Sequence, residues 1–345
     1  MRDLNVAPSI DALPQGWTSR APDERDIAEL AMLRASVTRA ATGSGTPDVS
    51  TVTSEIIEGA SWTRRQTVVH DTTGRARAWA AANDRAAGRT LLHVTIDPDL
   101  DLEIADPLAE SLFDFSARVA GAYTRLRGAT SCQLDTGAYE GDDRQRRWLE
   151  RAGYERTRRW LQMSRPVEAD EATFPTPQEG VTIRRVRRRP NGLPVAIDVQ
   201  AVHRVLEDSF ADHFNSYRES FPEFIHRMQQ DPGHAWDHWW LAVVTDEDGT
   251  PWPGGALVST MQSPDATDSY GSYVEYIGVR REARGRGIAK SLLETVVADA
   301  ASRDRNRVGL EVDDTSPTGA DGLYRSLGWD TSYVTESWHR ELDAE

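Results

Sequence analysis

YVEYIGVRREARGRGIAKSLLETVVADAASRD, from Tyr273 to Asp304, changes its period partway along. Its opening is rich in β-branched and aromatic residues and predicts a strand ending at Val279. A glycine-rich turn follows (Arg284, Gly285, Arg286, Gly287, Ile288, Ala289), and then a helix from Gly287 to Ser302, with Leu292, Leu293, Val296 and Val297 on its apolar face. A strand, a glycine turn and a helix start leave several backbone N–H groups unpaired at the positive end of the helix dipole, which suits a diphosphate. Glycine lets phosphate oxygens approach the backbone, and Arg284 and Arg286 add positive charge. The turn is not a Walker loop, which needs Gly-Lys-Ser/Thr, and it lacks the three-glycine spacing of a dinucleotide fingerprint. Taken alone, it reads equally well as a plain strand-to-helix turn bearing surface arginines.

Working outward, the same order of elements occurs twice. In the second half, Val181 to Val186 predicts a strand. Helices near Val195 to Glu207 and Ser220 to Gln229 come next, then strands Trp239 to Thr245, Gly254 to Thr260 and Tyr270 to Val279, and after the long helix a strand Val308 to Val312, a helix Gly319 to Leu327 and a last strand Ser332 to Glu341. The first half repeats this: helix Ile27 to Val37, three strands between Gln66 and Ile96, a helix from Leu108 to about Tyr123, strand Ser131 to Leu134, helix Arg144 to Arg151 and strand Thr157 to Met163. WLERAGYERTRRWLQM from Trp148 can be laid over LYRSLGWDTSYVTESWHR from Leu323, matching Gly153 with Gly328 and Trp160 with Trp338. The pattern is a tandem repeat of whole domains. The polar, proline-containing stretch between them has no period, so the expected division is 1–164, a linker 165–180, and 181–345.

Bulk properties bound the function. With 345 residues the chain is long enough for two cores, and a net charge of −15 repels nucleic acid and anionic lipid. No apolar run approaches the length of a membrane span, and no secretory leader opens the chain, so a cytoplasmic protein is expected. The single cysteine, Cys132, has no partner for a disulfide or a zinc site and reads as a buried strand residue; no metal is expected. The basic run Arg184 to Arg189 (RRVRRR) reads first as a solvated strand end, and otherwise as an RNA or acidic-protein contact.

The turn resembles the GNAT superfamily of acyltransferases, whose signature Arg/Gln-x-x-Gly-x-Gly/Ala is met here by Arg284, Gly287 and Ala289. A second family feature follows at the right distance: LEVDDTSPTGADGLYRSLGW from Leu310 is similar to the family's strand, loop and LY-x-x-x-GF/W helix. The resemblance covers Val181 to Glu341, and more faintly Trp17 to Met163. It implies an α/β (α+β) protein of two GNAT-like domains in tandem. Each would be a mixed, mainly antiparallel sheet with helices on both faces and splayed central strands. It also implies acyl-CoA, acetyl-CoA in the first instance, with main-chain groups of Ile277 and Val279 holding the thioester and the N–H groups from Arg284 to Ala289 the diphosphate. Ser316, in the following loop, is placed with these cofactor contacts.

The family's usual proton donor to the leaving thiolate is the tyrosine of the LY motif, here Tyr324, which otherwise reads as a core aromatic. For the base, period-two geometry puts Tyr273, Glu275, Ile277 and Val279 on one strand face, which makes Glu275 the candidate and Tyr273 a wall of the acceptor pocket. Family members with a glutamate base often carry it one pleat earlier, where this chain has Tyr273, so Glu275 reads equally as a structural carboxylate. His213, with Asp212 and Tyr217, lies where relatives wall the acceptor pocket.

The first half departs from the family. HVTIDPDLDLEIADPLAE, after its central strand, has no glycine and carries Asp97, Asp99, Asp101, Glu103, Asp106 and Glu110, and Leu149 falls at the place of Tyr324. This half is expected to be non-catalytic, with a second, structural acyl-CoA left open because the fold offers main-chain contacts of its own. The expected activity is N-acylation of a small-molecule amine, in a monomer or homodimer, without nucleic acid or membrane partners. The likeness is to mycothiol-synthase-type and clavulanic-acid-cluster tandem acetyltransferases of actinomycetes, which points to antibiotic biosynthesis. The alternatives are a non-catalytic acyl-CoA-binding module and a protein N-acetyltransferase.

Overall fold

The computed structural model describes residues 10, 13–85, 88–210, 219–316 and 319–343. The chain divides into two compact units: Met1–Leu161, Asp313–Thr315 and Tyr333–Glu345 form one, and Gln162–Val312 with Ser316–Ser332 form the other.

The first unit contains β1 (Thr18–Arg20), α1 (Ile27–Thr42), α2 (Val49–Ile57), β2 (Arg64–His70), β3 (Ala76–Arg85), β4 (Arg89–Ile96), α3 (Leu102–Leu126), β5 (Ser131–Tyr139), α4 (Asp143–Arg151) and the start of β6 (Glu155–Pro166). Strands β1 to β4 are antiparallel neighbours, and β4 meets β5 in parallel only at Arg89, Thr90 and Leu91. Alternation along the strands gives the sheet two apolar faces. Leu108, Leu112, Phe115 and Val119, one stripe of α3, pack with Ala80, Ala82, Leu92 and Val94 in one core. Leu30, Leu33 and Val52 of α1 and α2 pack with Val68 and Trp79 in another.

The second unit repeats the plan with β7 (Val181–Arg185), α5 (Ala196–Phe210), α6 (Phe221–Met228), β8 (Trp239–Thr245), β9 (Pro251–Gln262), β10 (Gly271–Val279), α7 (Ile288–Ala301), β11 (Arg307–Asp313) and α8 (Ala320–Ser326). Strands β7 to β10 are antiparallel, and β10 pairs in parallel with β11. Val202, Val205, Leu206 and Phe224 of α5 and α6 pack with Trp239, Leu241, Ala256 and Val258. Helix α7 lies on the opposite face, where Ile288 abuts Gly254 and Gly255 of β9. The expected class, α/β with mainly antiparallel sheets and helices on both faces, is met in each unit.

The units are not contiguous in sequence. The last strand, β12 (Asp330–Asp343), pairs through Thr335–Asp343 with Tyr139–Ser131 of β5, so it extends the sheet of the first unit. This differs from a division into residues 1–164 and 181–345. Alternation specifies a strand and its faces but not the strand it joins, so a sequence period cannot assign β12 to a sheet.

Candidate functional site

Strands β10 and β11 pair only at Ser272, Tyr273 and Val274, opposite Val308, Gly309 and Leu310. Beyond these, β10 continues to Val279 with β9 on one edge and no pairing to β11 on the other. This is the opening between central strands that the sequence leads one to expect. Its edge offers main-chain groups of Ile277 and Val279 to whatever enters.

A β-bulge sits at the mouth of the opening. Val274 faces Ser259 and Tyr276 faces Val258, which leaves Glu275 as the extra residue. The bulge corrects the expectation that Tyr273, Glu275, Ile277 and Val279 share a face, because one inserted residue inverts the alternation beyond it. Tyr273 and Tyr276 fall on the face that carries α5 and α6, while Ile277 and Val279, opposite Leu257 and Gly255, turn toward α7. Glu275 stays with the first group: Thr260 Oγ1 donates to its Oε1 at 3.4 Å.

Burial, reinforced by the Asp231 carboxylate and opposed by Arg227, pushes the Glu275 carboxyl up to about 7. Arg227, which sequence reasoning did not single out, forms a two-pronged pair with Glu219, Nε to Oε1 at 2.9 Å and NH2 to Oε2 at 2.6 Å. Its guanidinium lies 5.4 Å from the Tyr276 ring centroid and 5.6 Å from that of Phe224. On the far side, Tyr273 OH donates to Gln162 Oε1 at 3.4 Å, and Gln162 Nε2 donates to Glu311 at 2.9 Å. The face is therefore polar around the bulge. An arginine three residues after a phenylalanine on an amphipathic helix was the only signal for Arg227, and it marks a helix face rather than a site.

At the other end of the opening, Gly285 and Gly287 adopt φ values of 79° and 67°, the left-handed region that glycine enters without strain. Gly287 caps α7 and brings no side chain to satisfy the helix start. The Ala283 and Arg284 N–H groups are used within the turn, donating to the Arg280 and Arg281 carbonyls at 2.9 and 3.2 Å. From Gly285 to Lys290 the N–H groups meet no main-chain acceptor among the described residues. The first turn of α7 holds no acidic residue, so the positive end of the helix dipole is not neutralised from within the helix. Arg284 and Arg286 are exposed, and neither forms an ion pair with a described residue.

Tyr324 lies on α8, 7% exposed, its ring 6.4 Å from that of Trp329. Burial pushes its phenol up to about 12, so it stays protonated at neutral pH. Ser316 lies half-buried just before α8, its carbonyl accepting from the Gly319 N–H at 3.2 Å. His213, Asp212 and Tyr217 lie outside the described residues. No cluster of three or more metal-ligating side chains occurs among the described residues, and none of their helices is long and apolar enough to cross a membrane.

Residues 202–329, which span the bulge, the glycine turn and Tyr324, match the Acetyltransferase (GNAT) family. The fold of nearly the whole chain is shared with solved structures. A GCN5-related N-acetyltransferase from Sphaerobacter thermophilus superposes with a TM-score of 0.74 at 23% identity, covering 96% of this chain and 98% of that one. A tandem GNAT protein from the clavulanic acid biosynthesis pathway gives 0.64 at 11% identity, covering 94% and 98%. Saccharomyces cerevisiae N-myristoyltransferase with bound myristoyl-CoA gives 0.56 at 9% identity, covering 97% and 82%. No curated protein matches by sequence. At these identities the likeness is one of fold, and it extends over both units.

Proposed function

We propose that the protein transfers an acyl group, acetyl in the first instance, from acyl-CoA to an amine of a small molecule, by direct transfer while both are bound. The observation that carries this is the conjunction of a strand opening at β10 with a helix start whose N–H groups from Gly285 to Lys290 have no main-chain partner among the described residues. One accommodates an extended pantetheine arm and the other a diphosphate.

In this reading Arg284, Gly285, Arg286, Gly287, Ile288 and Ala289 hold the diphosphate, and Ile277 and Val279 align the arm through their main chain, with Ser316 beside it. The Ile277 N–H polarises the thioester carbonyl, a donor of the kind whose loss costs about 3 kcal/mol in the transition state. The amine nitrogen attacks the carbonyl carbon, the new C–N bond forms, and the C–S bond breaks. Glu275, poised near neutrality, takes the proton from the amine; Tyr324, held protonated by burial, gives one to the departing thiolate. Tyr273 shapes the acceptor side, as does His213 in the resemblance.

Release of free thiol from several acyl-CoAs, measured against a panel of small amines that includes secondary-metabolite precursors, tests the proposal. Steady CoA production that depends on both an acyl-CoA and an amine supports it. Tight acyl-CoA binding with no acceptor-dependent release would leave a binding module in its place.

A further inference from the structure

Residues 165–180 have no sequence period, yet they are not a free connection. At one end the Val167 N–H donates at 2.9 Å to the carbonyl of Asn306, just beyond the carboxyl end of α7. The short helical turn Ala169–Glu171 packs on α7. Farther on, the Phe174 ring meets Trp240 of β8 with centroids 5.8 Å apart, and the Arg185 guanidinium lies 4.8 Å from the Trp240 ring. The segment ends in a turn closed by the Val181 N–H donating to the Gln178 carbonyl at 3.0 Å. That turn sets the Gln178 side chain against the amino end of α7: a methyl group on the Gly287 α-carbon would lie 3.1 Å from Gln178 Nε2 and 3.3 Å from its Cδ. The strap thus runs from the segment beyond α7, along the helix, to its capping glycine.

Gln178 is exposed, and its carboxamide makes no hydrogen bond to a described residue. A side-chain donor with no described partner therefore lies beside the capping glycine of a helix whose first N–H groups meet no main-chain acceptor among the described residues. We propose that Gln178 is a further contact for the diphosphate of acyl-CoA, its Nε2 donating to an oxygen held over the start of α7. This rests on reading that helix start as the diphosphate site. The amide adds a donor without charge, and a carboxylate of the same length would oppose a diphosphate at close range.

The full-length protein and its Gln178→Ala and Gln178→Glu variants are titrated calorimetrically with CoA and with pantetheine, which lacks the diphosphate. Melting temperatures check that the exposed substitutions leave the fold intact. Loss of one neutral donor should weaken CoA about 3-fold. The added carboxylate should weaken it about 10-fold or more, an effect that shrinks as salt is raised. Pantetheine should bind all three proteins alike. CoA binding to Gln178→Glu as tight as to the wild type, or an equal loss for pantetheine, overturns the assignment. A wild-type protein that binds no CoA overturns instead the reading of the helix start, and the role of Gln178 with it.

Discussion

The two halves carry the same strand-to-helix junction and finish it in opposite ways. In the second, Arg280 to Gly287 connect β10 to α7 and leave the N–H groups from Gly285 to Lys290 without main-chain partners among the described residues. In the first, Asp97 to Asp101 connect β4 to α3, and several of the N–H groups there meet acceptors of the chain itself. The Asp97 N–H donates to the Arg77 carbonyl at 2.9 Å, Leu100 N–H to the Asp97 carbonyl at 3.2 Å, and Ile104 and Ala105 N–H to the Asp101 carbonyl at 3.0 and 2.9 Å. The Asp97 carboxylate, 2% exposed, accepts from the Asp99 N–H at 2.9 Å and lies 3.3 Å from Arg77. Arg144 adds donors to the Pro98 and Leu100 carbonyls at 2.6 and 3.1 Å. The first turn of α3 also holds an acidic residue, Glu103, whereas that of α7 holds none. Both halves keep the short parallel pairing of the central strands. The contrast teaches that the strand opening belongs to the fold, whereas the proposed phosphate cradle depends on a few residues of one turn.

The comparison extends to the chemistry, and breaking it there gives the largest expected effect. Tyr324 has Leu149 as its counterpart, a fully buried core residue on α4. Tyr324→Phe should lower turnover about 100-fold, the usual size of a lost general acid, with acyl-CoA affinity nearly unchanged; steady-state thiol release with a separate binding titration checks both halves of that statement.

Next in size is the turn itself. A methyl group on the Gly285 α-carbon meets nothing within 4 Å, so Gly285→Ala is opposed only by its φ of 79°. That conformation costs an L-residue about 1–2 kcal/mol, and acyl-CoA affinity should fall about 10-fold without a packing defect elsewhere.

The bulge also separates the halves, since β4 pairs with β3 in unbroken register while β10 shifts at Glu275. If Glu275 is the base, turnover of the wild type rises with pH through about 7 and then levels, and Glu275→Gln removes that rise. A raised folded pKa also means that the protonated carboxyl is favoured in the native state and that stability falls as pH climbs toward 7. Glu275→Gln should therefore melt higher than the wild type at pH 8 and alike at pH 4. A variant that keeps the acidic limb takes Glu275 out of the mechanism.

The smallest effect on function is expected in the first half. Asp97→Ala leaves the Asp99 N–H without its acceptor and removes the nearer of the two carboxylates beside Arg77, and should destabilise the protein by about 1–3 kcal/mol. Acyl-CoA affinity should not move. Thermal melts and binding titrations of the same sample separate the two.

Much of this was legible in the sequence. The element order, the strand opening implied by the family likeness, and the glycine turn were all carried by local signals: period, residue type and the left-handed demand at Gly285 and Gly287. The arginine run, expected as a solvated strand end, instead pairs inward: Arg184 and Arg187 converge on the buried Asp198 and Arg185 reaches the buried Asp299. The bulge at Glu275 was not legible, because no glycine or proline marks it and only pairing against β9 exposes the extra residue. Nor was the placement of β12, since its alternation is the same whichever sheet it joins. The strap from Pro166 to Gly180 looked like a linker because its contacts are made one at a time, through Val167, Phe174 and Gln178, and isolated contacts leave no period.

The most direct test is the number of acetyl-CoA molecules bound by one full-length chain, measured by equilibrium titration on the wild type, Gly285→Ala and Asp97→Ala. One per chain, weakened by the first substitution and indifferent to the second, is the predicted result. Binding that survives Gly285→Ala at full affinity and is lost in Asp97→Ala would contradict the assignment of the cradle to the start of α7.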